Sequence, residues 1–194
     1  WVVDDASPDG TADVARSLTG SLPVHVVERT GQRGLATAVL EGFRRATGAV
    51  LAVMDADGSH PPSILPRLIG AVRDGSAEMA IATREVWSGD SPGLTIGRRL
   101  VSAAGRSLAR PLTRVPDPMS GFFAIRRELL DRAPLDPIGY KIGLEILVRC
   151  RPDPVAEIPY RFLPRIAGES KLDRGEIGRY LRHLTRLYRI RSPG

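Results

Sequence analysis

The chain has 194 residues, with 42% hydrophobic and 26% charged side chains and a mean hydropathy of -0.10, the usage of one ordinary globular domain rather than a disordered or collagen-like chain. Its longest wholly apolar run, Ala49 to Met54, is far below the ~20 residues that span a bilayer, no charged and apolar leader opens it, and the single Cys150 excludes an internal disulfide. The net charge of +6 invites an anionic partner, but residues 173–191 carry six Arg against two acids, so the rest is nearly neutral and a general nucleic-acid surface is not expected.

Short β-branched runs alternate with helical periods. Strands are predicted at Trp1–Val3, Val24–Val27, Val50–Met54 and Met79–Ile81, with helices at Thr11–Leu18, Leu35–Thr47 and Ser63–Val72 between them. This rhythm implies an α/β fold with a mostly parallel sheet flanked by helices. Further on come a Gly/Pro/Ser loop at Ser88–Gly93, a helix over Gly97–Leu112, a strand at Phe122–Ile125, a helix at Lys141–Cys150, a strand at Val155–Phe162 and a basic final helix. Trp1 opens in mid-strand, so chain is expected upstream.

Three segments carry chemistry. Asp4-Asp5-Ala6-Ser7-Pro8-Asp9-Gly10-Thr11 ends a strand in two carboxylates, where ligands of open α/β sheets sit; Ser7 or Asp9 also suits a helix cap. Arg29-Thr30-Gly31-Gln32-Arg33-Gly34-Leu35 leads into a helix, and its glycines and cations favour an anion there. Asp55-Ala56-Asp57 closes the most apolar strand. Spaced i and i+2, its carboxylates are expected to face one point, a repulsive arrangement unless a hard divalent cation, Mg2+ or Mn2+, lies between them; Ser59 or His60 would add a ligand.

In this order the segments resemble family 2 glycosyltransferases of the A-type nucleotide-diphosphosugar fold, in the polyprenol (dolichol) phosphate mannose synthase branch. Val3 through Thr11 matches V-D-D-x-S-x-D-G-T, Arg29 through Ala36 matches R-x-x-K-x-G-L-G, and Met54 through His60 matches M-D-A-D-x-S-H. Ala82-Thr83-Arg84, Arg98-Arg99-Leu100-Val101-Ser102, Asp117 through Phe122, Gly139-Tyr140-Lys141 with Glu145, and Phe162-Leu163-Pro164-Arg165 with Gly168 through Leu172 continue the series to residue 172. Arg33 replaces a customary Lys, and Ala-Thr replaces Gly-Ser before Arg84. The family's first strand would lie upstream of Trp1.

The resemblance implies a catalytic domain over 1–172; beyond it, helical spacing puts Ile177, Leu181, Leu184 and Tyr188 on the apolar stripe of a basic amphipathic helix over 173–194. The resemblance also implies inverting transfer of a sugar, mannose from GDP-mannose first, to a polyprenyl phosphate. Asp55, Asp57 and Ser59 would hold the metal. Asp57, Arg84, Arg99, Arg165 and Lys171 would serve the reacting phosphates, and Asp4, Asp5, Ser7, Arg29, Arg33, Gly34, Asp55, Asp117, Ser120 and Glu145 would bind the nucleotide sugar. The expected location is the cytoplasmic face of a membrane, reached peripherally through the basic helix. Alternatives are transfer from UDP-glucose, a nucleotidyltransferase, or a nucleotide-sugar binding module without turnover.

Overall fold

The computed structural model describes residues 1–31, 33–84, 96–161 and 174–191, with side chains from Ala103 onward in the fourth helix and from Gly175 onward in the last. Contacts divide the chain into two compact units, residues 1–48 and 49–194.

The first unit is a strand-helix-strand-helix segment: β1 (Val2–Asp4), α1 (Thr11–Ser17), β2 (Val26–Glu28) and α2 (Leu35–Arg45). β1 and β2 pair in parallel from Val2↔Val26 to Asp4↔Glu28, as a right-sized helical crossover allows. Asp9 starts α1 by accepting from the Thr11 amide at 3.0 Å and its hydroxyl at 2.6 Å, while Gly10 takes the left-handed φ of 79° that the turn requires. Ala12 and Ala15 of α1 and Ala36, Ala38 and Phe43 of α2 are buried. β2 begins later than the apolar run at Val24, because Leu22 to Val24 is held in a tight turn by a 2.7 Å amide bond around Pro23.

The second unit holds β3 (Val50–Val53), α3 (Leu65–Arg73), β4 (Met79–Arg84), α4 (Ile96–Ala109), β5 (Phe123–Arg126), α5 (Ile142–Arg149), β6 (Val155–Tyr160) and α6 (Arg174–Arg191). Two predicted helices end differently: a 3-10 turn at Pro62–Ile64 precedes α3, and Pro111, which lacks an N–H, turns the end of α4 into a 3-10 segment at Arg110–Leu112.

The sheet order is β3-β5-β4-β6. β4 and β6 run parallel, but β5 is antiparallel to both its neighbours, so the sheet is mixed where the sequence predicts mostly parallel pairing. Apolar periodicity reports that a strand is buried, not its direction. Phe122 through Ile125 are all fully buried, as a strand covered on both faces must be.

One core cluster joins the sheet to α3 through Leu68, Val72, Ala80, Ala82, Phe122, Ala124, Ile158 and Tyr160. A second joins α5 to α6 through Leu144, Val148, Tyr180, Leu184 and Leu187, with Ala109 and Leu112. The packed face of α6 is therefore Tyr180, His183, Leu184 and Leu187. Leu181 and Tyr188, expected on the apolar stripe, are exposed. Tyr180 and Tyr188 donate their hydroxyls to the carbonyls of Gly105 and Leu108, each at 2.7 Å, fastening α6 along α4.

Candidate active site

In the first unit the paired carboxylates organise their own loops. Asp4 is buried and accepts from the Ser7 amide at 2.8 Å. Asp5 accepts from the Arg29 guanidinium, through Nε at 2.7 Å and through Nη2, and from the Gly34 amide at 2.7 Å. Arg29 also reaches Thr37 Oγ1 and the Gly34 carbonyl, at 3.0 and 3.1 Å. The strand end and the loop before α2 are thereby one ion-paired unit, in which Arg29 is neutralised within the protein. Ser7 and Arg33 are exposed.

In the second unit β3 stops at Val53, so Asp55 and Asp57 lie in the loop beyond it and the two-residue period of a strand does not aim them. The loop shapes them instead. Asp57 Oδ1 accepts from the Ser59 amide at 3.0 Å and hydroxyl at 2.5 Å, and Ser59 is buried. His60, weighed as a metal ligand, turns inward: its Nδ1 accepts the Asp55 amide at 3.0 Å, and its ring stacks on Phe122 and meets the Tyr160 ring edge-on. Tyr160 is a buried phenol in the same neighbourhood. Burial first, then the charges of Asp117, Asp55 and Asp57, raise its pKa against the pull of Arg84.

The turn over residues 117–121 brings the rest together. Asp117 grips Arg84 bidentately, Oδ2 to Nε at 2.7 Å and Oδ1 to Nη2 at 2.9 Å. Burial disfavours both charges, but their mutual bond outweighs it, raising the pKa of Arg84 and lowering that of Asp117. Two residues on, the Met119 carbonyl accepts from Lys141 Nζ at 3.2 Å. Ser120 is buried and takes the Phe122 amide at 3.3 Å. At Gly121 an added Cβ would lie 3.9 Å from Asp55 Oδ1, an ordinary contact distance, so the turn runs alongside the Asp55 carboxylate.

Glu145, expected in the sugar pocket, makes its bonds to other residues. It is fully buried, hydrogen-bonds His183 Nε2 of α6 at 2.5 Å and the Asp136 amide at 3.1 Å, and forms an ion pair with Arg149 Nε at 2.5 Å. Burial alone would raise its pKa, yet His183 and Arg149 hold it below the ordinary glutamate value. The side chain of Arg99, and Arg165 and Lys171 entirely, lie outside the described residues.

Lys141 was legible as part of a motif but carried no role. Its signal was its rarity, since only Lys141 and Lys171 among 28 basic residues are lysine.

Helices flanking a mixed sheet, with an acidic D-x-D loop past β3 and an Arg84–Asp117 pair at the end of β4, define an A-type nucleotide-diphosphosugar transferase fold. Glucosyl-3-phosphoglycerate synthase from Mycobacterium tuberculosis, solved with Mn2+, UDP-glucose and phosphoglyceric acid, superposes with a TM-score of 0.69 at 20% identity, covering 100% of this chain and 69% of that one. Residues 1–133 match the model of glycosyl transferase family 2, and the chain belongs to that family. A dolichol-phosphate mannosyltransferase of Pyrococcus furiosus is 44% identical over 190 residues, covering 96% of this chain and 54% of that protein, so the chain spans about half its length. Its counterpart in Saccharomyces cerevisiae is 38% identical over 201 residues, covering 96% of this chain and 73% of that protein. An undecaprenyl-phosphate mannosyltransferase of Micrococcus luteus is 37% identical over 196 residues, covering 95% and 80%.

Proposed function

We propose that this chain belongs to an inverting transferase that moves mannose from GDP-mannose to a polyprenyl monophosphate. The observation that carries the reading is the 117–121 turn, which sets a bidentate Arg84–Asp117 pair and the Lys141 ammonium beside Asp55. The names of relatives at 37–44% identity support the same chemistry.

The acceptor phosphate is anionic at neutral pH and needs no strong general base. One of its oxygens forms the bond to the anomeric carbon as the bond to the nucleoside diphosphate breaks, and the diphosphate leaves with the electron pair. A single displacement inverts the anomeric centre. The protein's task is to hold two mutually repelling anions in line and to stabilise the leaving charge. Arg84 supplies a fixed guanidinium, oriented by Asp117; Arg99, Arg165 and Lys171 are proposed for the same phosphates. Asp4, Asp5, Arg29 and Gly34 keep the loops of the first unit in shape, and Ser7 and Arg33 are their exposed candidates for the donor. In the sugar pocket, Asp117 and Ser120 are retained. The local bonds of Glu145 support a different role there, the joining of α5 to α6.

Among the described residues no group of three His, Cys, Asp or Glu side chains is placed to hold a metal ion. Asp55, Asp57 and the Ser59 hydroxyl nevertheless suit Mg2+ or Mn2+, which commonly takes one or two carboxylates and completes its shell with water and substrate phosphate. When bound, such an ion would supply Lewis-acid stabilisation of the leaving diphosphate. Asp57→Ala is expected to lower sugar transfer by two or more orders of magnitude, since metal stabilisation of a diphosphate is worth several kcal/mol, on the order of 3–5. Full transfer by this variant in excess chelator would refute the metal assignment.

Among the described residues no helix is long and apolar enough to cross a membrane. We infer peripheral contact with the cytoplasmic face through the outer side of α6, where Arg182 and Arg189 are exposed beside Leu181.

A further inference from the structure

We propose that Lys141 is a direct ligand of substrate phosphate in this site, its ammonium leaving the Met119 carbonyl to meet a phosphate oxygen. The inference rests on the transferase reading and deepens it.

The residue sits just before α5 in a loop bounded on two sides. Its Nζ donates to the Met119 carbonyl at 3.2 Å and lies 4.3 Å from the centre of the Tyr140 ring. On the other side Gly139 approaches the start of α6, where an added Cβ would stand 3.5 Å from Glu176 Oε2 and 3.6 Å from Arg179 Cβ. The loop is therefore held in place while the side chain points along the 117–121 turn.

An ammonium has three donors and is strongly hydrated. Here a neutral carbonyl takes one donor at a long distance and an aromatic face offers a diffuse attraction. Among the described residues no carboxylate comes within ion-pair distance of it. Arg84, the neighbouring cation, has Asp117 as a bidentate counter-ion. A mostly buried charge without a paired anion is unfavourable, and proteins avoid it unless a ligand completes the pair. The charges around Lys141 express the same shortage of negative charge. Burial first, then Arg84, lower its pKa to about 8, against the weaker opposite pull of Asp117, Asp55 and Glu176. A phosphate monoester or diphosphate supplies the missing anion and favours the ammonium form. Either the leaving diphosphate of the donor or the monophosphate of the acceptor presents that chemistry.

Arginine serves elsewhere in this chain almost without exception, so a lysine at this position also fits a physical need. A compact point charge on a flexible stem can change partners, whereas a planar guanidinium is built for one fixed fork.

The test compares wild type with Lys141→Met, which keeps the stem's bulk, and with Lys141→Arg. Binding of GDP in the presence of Mn2+, and separately of farnesyl phosphate, is measured by calorimetry on the full chain at pH 7. Lys141→Met is expected to weaken one of the two ligands about tenfold or more while the other changes little, which names the phosphate concerned, and Lys141→Arg is expected to recover part of the loss. Relief of the unpaired charge is expected to raise the Tm of Lys141→Met, which a merely structural lysine would not show. A measurement on unmutated protein runs in parallel. The chain has two lysines, so acetylation of Lys141 by acetic anhydride is followed peptide by peptide, and the ligand that loses affinity in the variant is expected to slow it at least fivefold. If wild type binds both ligands, Lys141→Met binds each within twofold of it, and neither ligand protects Lys141, the assignment is overturned. Wild type that binds neither ligand overturns the transferase reading and this inference with it.

Discussion

At the scale of single residues, the site is governed by which charges already have partners. Arg84 and Asp117 do, and their pair makes a pH-dependent contribution to stability. The carboxyl of Asp117 titrates below its unfolded value of 3.8, because the bond to Arg84 outweighs burial. A depressed carboxyl pKa means that the folded state holds fewer protons than the unfolded one, so the contribution is complete above about pH 4 and is lost as pH falls through the folded pKa. Asp117→Asn removes the carboxylate that grips Arg84 and is expected to cost about 2–3 kcal/mol at pH 7, less than a fully buried pair because Arg84 is partly exposed. Thermal unfolding at pH 7 and at pH 3 checks this: the gap between variant and wild type is expected to narrow at the lower pH. An equal gap at both would show that the Asn amide disturbs packing rather than charge.

At the scale of elements, α5 approaches the 117–121 turn so closely that Gly143 has no room for a side chain. An added Cβ would stand 2.9 Å from the Ser120 carbonyl oxygen, a backbone atom that moves only with the turn. Gly143→Ala is expected to destabilise the fold by about 1–3 kcal/mol and to lower transfer by displacing the residues that carry Asp117 and the Met119 carbonyl. Denaturant unfolding together with kcat separates the two effects, and unchanged values of both would contradict the close approach. The sequence shows such elements far better than their contacts. Alternation of β-branched and helical stretches located the described strands and α-helices to within a few residues, and glycines and acids at strand ends located the loops of the candidate site. Strand direction was hidden, because Phe123 to Ile125 of β5 form one apolar run and periodicity carries no sign. The partners of Asp5 and Glu145 were hidden too, since Arg29 and His183 meet them only through tertiary folding, 24 and 38 residues away. Helical spacing put Ile177, Leu181, Leu184 and Tyr188 on one apolar stripe, but it did not show that the covered face is Tyr180, His183, Leu184 and Leu187, because the neighbours on α4 and α5 decide which face is covered.

At the scale of the whole molecule, the charge that gives the chain its +6 is concentrated near α6. Arg186 is engaged with Asp136, so a membrane test must use the cations without such a contact. Changing Arg182, Arg189 and Arg191 to Glu is expected to abolish most co-sedimentation with vesicles rich in anionic lipid at low salt, since each basic residue near such a surface contributes about 1 kcal/mol. Equal sedimentation of both proteins would place membrane access elsewhere in the chain. The polyprenyl acceptor proposed above would make such access necessary, because withdrawing its tail from the bilayer costs ~0.8 kcal/mol per methylene. The central claim is sugar transfer to a lipid phosphate, and it is tested most directly by incubating the enzyme with Mg2+ or Mn2+, a polyprenyl phosphate and radiolabelled GDP-mannose or UDP-glucose in parallel, then extracting into organic solvent. The account predicts label in the organic phase from GDP-mannose, dependent on the phosphate of the acceptor and removed by chelator; label that appears equally with the unphosphorylated polyprenol, or from UDP-glucose alone, would contradict it.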